Sequence, residues 1–423
     1  MLPIHLFRTN KELILEGLKK KNFKEPELVD KIIDIDEQRR KLQVENDNLA
    51  AMVNSASKSI GMHMAKGEKD QAELLKEKVG LHKEQIKEVA DKLGNLETEL
   101  QDILVRLPNL PHSSVPKGKT PEENEVVREG GTFPDLSAQK MPHWELTAKY
   151  GLMDLELGTK ITGAGFPVFM GQGARLQRAL INYFLNYNIE AGYKEYCPPF
   201  MVNEASAYGT GSLPDKEGQM YHVTEDNLYL IPTAEVPVTN IYRDTIIPES
   251  ELPVKMTAYS PCFRREAGSY GKDVRGLNRV HQFDKVEVVQ LVNPATSYES
   301  LDGMVAHVEK LIQSLELPYR ILRLCGGDMS FTSALTYDFE VYSGAQERWL
   351  EVSSVSNFES FQTNRMKVRY KDGSGKMQLV HSLNGSSLAL PRIIACLLEN
   401  HQTPDGIRIP AALVPYFGKD MIS

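Results

Sequence analysis

The chain has 423 residues, 41% of them hydrophobic and 25% charged, with 30 Gly and 23 Pro, a composition that fits globular proteins and excludes fibrous, disordered and membrane-spanning classes. At about 150 residues per domain, the length predicts two or three domains and a sizeable core. Forty-nine basic against 57 acidic side chains leave a net charge of -8, so there is no global basic field to gather polyanions, and a nucleic-acid partner would have to be met by local patches.

Cys197, Cys262, Cys325 and Cys396 are widely separated, with no CxxC and no His-rich tract beside them, so neither a disulfide framework nor a zinc site is expected. The first residues, MLPIHLFRTNKELILEGLKKK, carry charges inside the apolar stretch, unlike a secretory leader. No run of about 18 apolar residues occurs, so no membrane association is expected and a cytoplasmic, reduced setting is.

Residues 28–60 place Leu28, Ile32, Ile35, Leu42, Leu49, Val53, Ala56 and Ile60 on alternating steps of four and three, with Arg39 and Asn46 in the remaining seam positions. Val79, His82, Ile86, Val89, Leu93, Leu96, Leu100, Ile103 and Leu107 repeat the pattern without a break. A sustained period of 3.5 predicts a coiled-coil seam. With a reversal somewhere in Ser55 to Asp70, which holds Gly61 and Gly67, it reads as an antiparallel hairpin about 50 Å long. A dimerisation zipper, a spacer and a lever for a long partner all fit such an arm; a small basic excess between Arg8 and Lys24 lies at its base.

Pro108 and Pro111 stop the second helix, and Pro116 to Pro134 reads as a polar linker. Beyond it, Gly173 to Gly192 is predicted helical, Tyr193 to Val202 a proline-bearing strand, and VKMTAYSPCFRRE with RVHQFDKVEVVQLV a long antiparallel hairpin around the Gly-rich AGSYGKDVRGLN. A helix near Tyr298 to Leu315 follows, then strands at ILRL, TYDFEVY and RWLEVSSVS, and a last helix after Ser386. Strands in blocks predict an α+β domain with an antiparallel sheet.

Neither a P-loop nor GxGxxG after a strand is present, so a nucleotide would need a sheet surface. Alternation puts Arg264 and Glu266 on one face, with Arg265 pointing away, and groups His281, Phe283, Lys285 and Glu287. A guanidinium for a phosphate, a ring for a flat base and carboxylates for an ammonium or amide suit an aminoacyl nucleotide. A solvated hairpin with cross-strand ion pairs fits the same residues. Thr233-Ala234-Glu235 lies between Pro232 and Pro237, Glu351-Val352-Ser353-Ser354 in a strand-like run, and Asn384-Gly385-Ser386 before the helix bearing Arg392, where it could also serve as an N-cap.

Taken together, LIPTAEVPVTN, FRREAGSYGKDVRGLNRVHQFDKVE, LEVSSVSNFESFQTNRM and LVHSLNGSSLALPR resemble the seryl-tRNA synthetases, class II aminoacyl-tRNA synthetases, over essentially the whole chain. The resemblance implies a tRNA-binding N-terminal coiled-coil domain at 1–110 and a class II catalytic domain at 111–423, its antiparallel sheet flanked by helices. It implies a ligase that activates L-serine with ATP and magnesium and transfers it to tRNA(Ser), with tRNA(Sec) as a further candidate. Arg264, Glu266 and Arg392 would be the catalytic residues. Arg264, Arg265, Glu266, Val280, Phe283, Glu351, Val352, Ser353, Ser354 and Arg392 would bind ATP, with Glu351 and Ser354 also meeting its magnesium. Thr233, Ala234, Glu235, Glu287 and Ser386 would form the serine pocket. The helix from Gly173 and the strand with Pro199 imply a homodimer. Two departures stand out: Leu335 where the family often has lysine, and Pro391 where it often has glycine. A ligase loading a carrier protein and a non-catalytic coiled-coil scaffold are the competing readings; the intact arm opposes the first, and the presence of Arg264, Glu287 and Arg392 opposes the second.

Overall fold

The computed structural model describes residues 1–215, 218–266 and 275–423. Two compact units emerge. One contains Leu2–Lys19 and Phe23–Pro108; the other contains Met1, Lys20–Asn22 and Asn109–Ser423.

The first unit is dominated by two helices, α1 (Leu28–Ala65) and α2 (Lys69–Leu104), packed on each other. Three residues join them, with Gly67 at φ +81°, a left-handed conformation that glycine adopts at no steric cost. The reversal is therefore much narrower than the expected 16-residue window, and Gly61 lies inside α1. Leu28, Ile32, Ile35, Leu100, Ile103 and Leu107 are buried, whereas Leu42, Leu49, Val53, Ala56 and Ile60 are only half-buried. A two-helix arm offers each seam residue a single partner face. Near its base the short helices Ile4–Thr9 and Lys11–Lys20 contribute Phe7, Ile14 and Leu18, all buried.

Asp36, 1% exposed, accepts two hydrogen bonds from Arg8, at 2.7 and 2.8 Å, and others from Arg39 at 3.0 Å and Arg40 at 3.1 Å. Burial alone would raise this carboxyl, but the Arg8 and Arg39 bonds hold it below its ordinary range. Asp36→Ala removes the shared acceptor of three guanidinium groups. It should lower the opening free energy of this end of α1 by about 2 kcal/mol, or about 30-fold faster amide exchange at residues 32–40, which hydrogen exchange on the full chain measures.

The second unit is built from β1 (Glu125–Gly130), α3 (His143–Lys149), α4 (Gly171–Glu190), β2 (Lys194–Glu195), α5 (Glu235–Asn240), β3 (Val254–Phe263), β4 (Gln282–Val292), α6 (Ser297–Ser314), β5 (Tyr319–Arg323), β6 (Leu335–Ser343), β7 (Arg348–Asn357), β8 (His381–Ala389) and α7 (Leu390–Asn400), with shorter pieces between. Its main sheet runs β1-β5-β6-β7-β8-β4-β3-β2, antiparallel except where β2 joins β3. Helices α4, α6 and α7 share one apolar core with the sheet: Leu180 and Phe184, Leu301 and Val308, and Ile393 and Leu397 pack with Val286, Val288, Phe339 and Val355.

Three local expectations change. Glu125–Gly130, expected in the linker, is an edge strand paired with β5; its only apolar side chains, Val126 and Val127, are adjacent and exposed, so no period-2 alternation marks it. Tyr193 to Val202 is not one strand but Lys194–Glu195 and Met201–Asn203, since Pro198 and Pro199 cannot donate ladder hydrogen bonds. Asn384-Gly385-Ser386 lies within β8 and not at a helix cap. The Gly-rich turn from Ala267 to Val274 lies outside the described residues.

Candidate active site

Alternation along β4 decides what faces what. Val286 and Val288 enter the helix-side core, while Phe283, Lys285 and Glu287 line a cavity of about 410 Å³ on the opposite face. Two register shifts shape its other walls. Between β6 and β7, Phe339 pairs with Ser353 and Glu340 with Glu351, leaving Val352 as an extra residue. That bulge lets Glu351 share the cavity side with Ser354 and Ser356, where unbroken alternation would separate them. Between β4 and β8, Lys285 pairs with Ala389 but Glu287 with Ser386; the extra residue falls by Leu388, whose φ of +73° is uncommon for a branched side chain. Ser386 is thereby set against Glu287.

One end of the cavity is acidic. Thr233 donates to Glu287 at 3.1 Å, and Lys285 forms an ion pair with Glu287, their side chains only 8% and 2% exposed. The Glu235 amide donates to the Thr233 hydroxyl at 3.1 Å, and Gln362 donates to the Glu235 carboxyl at 2.6 Å. Gln362 is itself fixed, donating to the Thr210 carbonyl at 3.0 Å and accepting from Ser382 at 2.7 Å. Burial, and then the charge of Glu287, push the Glu235 carboxyl up to about 7. Ser353 donates to the Ser386 carbonyl at 2.6 Å, closing the wall between β7 and β8.

The other end is cationic and flat. The Arg264 guanidinium lies 5.3 Å from the Phe283 ring centroid, while its Nε donates to the Pro232 carbonyl at 3.4 Å. Glu266, at φ +49°, pairs with Arg279 at 2.7 Å. Arg392 donates through Nε to the Asn278 carbonyl at 3.0 Å and through Nη1 to the Glu351 carbonyl at 2.7 Å; Nη1 lies 3.6 Å from the Glu351 carboxylate. Pro391 stands at the first turn of α7, where a missing N–H costs nothing, so Arg392 keeps its place. Leu335 is 4% exposed and belongs to the helix-side core, so that departure from the family pattern falls outside the cavity.

Thr233, Glu235, Arg264, Glu266, Val280, Phe283, Glu287, Glu351, Val352, Ser353, Ser354, Ser386 and Arg392 all line the cavity, but Ala234 and Arg265 do not. Ala234 is packed in the apolar cluster with Val238 and Met256, and Arg265, past the end of β3, lies outside the cavity with its amide donating to the Gln219 carbonyl. His281 does not join Phe283; it stacks on Phe166 at 5.4 Å. Lining residues that sequence reading gave no role include Lys285, Asn278, Arg279, Ser330, Thr332, Ser356 and Phe358. Period-2 alternation marks Lys285, but Ser330, Thr332 and Phe358 come from loop segments without periodicity. Glu351 and Ser354 supply oxygen donors of the kind magnesium takes, so this part of the wall fits a nucleotide-bound magnesium ion.

Residues 1–111 match the family model of the seryl-tRNA synthetase N-terminal domain, and residues 221–401 that of the tRNA synthetase class II core domain (G, H, P, S and T). A serine--tRNA ligase of Salinibacter ruber is 49% identical over 420 residues, covering 99% of this chain and 98% of that one. The chain belongs to the seryl-tRNA synthetase family. Among solved structures, the seryl-tRNA synthetase from Pyrococcus horikoshii complexed with ATP superposes with a TM-score of 0.90 at 33% identity, covering 100% of this chain and 99% of that one. The cytoplasmic serine-tRNA ligase from Naegleria fowleri in complex with AMP gives 0.88 at 29%, with the same coverage. Both the arm and the sheet are therefore family features.

The buried Lys285–Glu287 pair makes a stability prediction. Lys285→Met leaves Glu287 without its cation and should destabilise the ligand-free protein by about 3 kcal/mol. Combining it with Glu287→Leu should recover more than half of that loss; urea unfolding of the three variants measures the coupling.

Proposed function

We propose that this chain is a serine–tRNA ligase that forms seryl-adenylate in the cavity and then seryl-tRNA. The observation that carries the reading is the two-ended cavity, with Glu235, Glu287 and hydroxyls at one end and the guanidinium groups of Arg264, Arg279 and Arg392 with an aromatic ring at the other, in a chain aligned end to end with serine--tRNA ligases. The carbon-bound carboxylate of serine attacks the α-phosphorus of ATP and pyrophosphate leaves. The terminal ribose hydroxyl of the tRNA then attacks the activated carbonyl, and AMP leaves. Neither step requires a covalent enzyme nucleophile; both require alignment of anions and neutralisation of developing charge.

In this reading Arg264 holds the α-phosphate, Phe283 the adenine ring, Glu266 the adenine amino group and Arg392 the γ-phosphate, with the chain near Val280 beside the nucleotide. Magnesium, held with ATP by Glu351 and Ser354, would supply further positive charge to the phosphates. Thr233, Glu235, Glu287 and Ser386 receive serine, with Glu287 and Ser386 nearest its hydroxyl. A pocket that hydrogen-bonds this hydroxyl rejects alanine strongly, because buried partners would be left unpaired; threonine has to be refused by crowding its methyl group. Lys285, charge-paired with Glu287, sets how that carboxylate faces the substrate. The arm of residues 1–110 meets tRNA(Ser), and tRNA(Sec) is a second candidate, through shape and phosphate contacts that need no global basic field. Residues 111–423 form the catalytic domain. Phe200, Met201 and Ile189, 37%, 46% and 41% exposed, favour pairing of the α4 region with a second copy. A cytoplasmic location accords with the finding that, among the described residues, no helix is long and apolar enough to cross a membrane.

The purified protein should exchange pyrophosphate into ATP only when serine is supplied; exchange with a different amino acid and none with serine would overturn the substrate. Replacing residues 28–105 by a short glycine linker should leave that exchange within about threefold while charging of tRNA collapses, and equal loss of both would contradict the division of labour between arm and sheet.

The raised Glu235 carboxyl gives a pH dependence. Below about 7 it holds a proton in the ligand-free cavity; a serine ammonium beside it favours the carboxylate, so binding releases that proton. Serine affinity should rise by about tenfold per pH unit as pH approaches 7 from below and level off above it. Calorimetry in buffers of different ionisation enthalpy reads the released proton, and Glu235→Gln should abolish both the release and the slope.

A further inference from the structure

Outside the cavity, His143 and Glu399 form a fully buried pair, both 0% exposed. His143 opens α3 and Glu399 lies near the end of α7. Their Nδ1–Oε1 distance is 2.7 Å, and the His143 amide donates to the same oxygen at 2.9 Å. On the far side of the ring, Nε2 accepts a hydrogen bond from the Leu277 amide at 2.8 Å. A main-chain N–H can only donate, so Nε2 carries no proton; the proton sits on Nδ1 and points at the carboxylate. The imidazole is therefore neutral, with one tautomer fixed by its two partners. Gly276, at φ +64°, has no room for a side chain, since a Cβ there would stand 2.2 Å from Nε2.

A second strand of the same network runs through Gln346, in the turn between β6 and β7. Its amide donates to Glu399 at 3.0 Å, and its oxygen accepts from the Asn278 side chain at 2.9 Å; Ser343 donates to the other carboxylate oxygen. Leu277 and Asn278 line the cavity, and the Asn278 carbonyl is the acceptor that holds Arg392. His143 touches the cavity nowhere. What it holds is the backbone at Leu277, a few residues before β4.

We propose that His143 is a positioning residue for nucleotide binding: bridging the Glu399 carboxylate and the Leu277 amide, it fixes the Gly276–Leu277 peptide and so the adjoining Asn278, whose carbonyl holds the Arg392 guanidinium. The inference rests on the reading that the cationic end of the cavity, with Arg264 and Arg392, takes ATP. Among the described residues, none of these bonds reaches Thr233, Glu235, Glu287 or Ser386, so the effect is selective. A bond set that only supported the fold would disturb both substrates alike.

The test is serine-dependent pyrophosphate exchange by the full chain, with ATP varied at saturating serine and serine varied at saturating ATP. His143→Ala should raise the KM for ATP about tenfold and leave the KM for serine within twofold. His143→Gln, whose amide oxygen reaches the place of Nε2 and can accept from Leu277, should recover most of the loss. Gln346→Met, at a half-buried turn position, should raise the KM for ATP in the same selective way and keeps the test available if the alanine variant does not fold. An unchanged KM for ATP, or a parallel rise for both substrates, overturns the proposal. Absence of serine-dependent exchange in the unmodified protein would instead overturn the functional reading beneath it, so the two failures are distinguishable.

Discussion

The alternation of a single central strand is the constraint on which the second unit depends. Gln282–Val292 must bury Val286 and Val288 against the helices, and in doing so it has no choice but to present Phe283, Lys285 and Glu287 on the other face. A slip of one residue would put two charges in the core and two valines in the cavity. Stability thus enforces the placement of the chemistry: the register that closes the apolar core is also the register that opens the site. The two bulges refine this frame by changing parity on β7 and β8, so that three neighbouring strands converge on one cavity wall.

The same logic explains how much could be read from the residues. Periodic features were legible: the heptad seams, the long hairpin, the helix carrying Arg392 and the facing of Phe283, Lys285 and Glu287 all follow from one repeat distance. Features that break a period were not. Val352 and Leu388 shift parity without any marker in composition, and the edge strand at Glu125–Gly130 reads as linker because its side chains are mostly exposed and its two valines adjacent. The grouping of Glu351 with Ser354 came only through family resemblance, since alternation alone would have opposed it. Ser330, Thr332 and Phe358 reach the cavity by tertiary path, which no local pattern encodes.

Charge is organised on the scale of single pockets. The cavity gathers its guanidinium groups at one end and the Glu235 and Glu287 carboxylates at the other, while the chain as a whole carries -8. Alongside the Lys285–Glu287 and Arg279–Glu266 ion pairs, neutral partners restrain several of these charges: Glu235 by Gln362, Arg392 by two main-chain carbonyls, Glu287 by Thr233. Neutral donors and acceptors hold orientation without cancelling the field that a ligand would meet, an economical form of preorganisation. Net charge therefore says little about what such a molecule can bind.

The three-residue reversal at Gly67 has a consequence for how the arm can change. With 38 residues in one helix and 36 in the other, there is no slack in the turn to absorb a mismatch. An insertion in one helix alone would rotate every later seam position away from its partner. Arm length can therefore change only in steps of about a heptad taken in both helices together, which makes the reach of the arm a quantised property of the chain, altered by paired events and not by gradual drift.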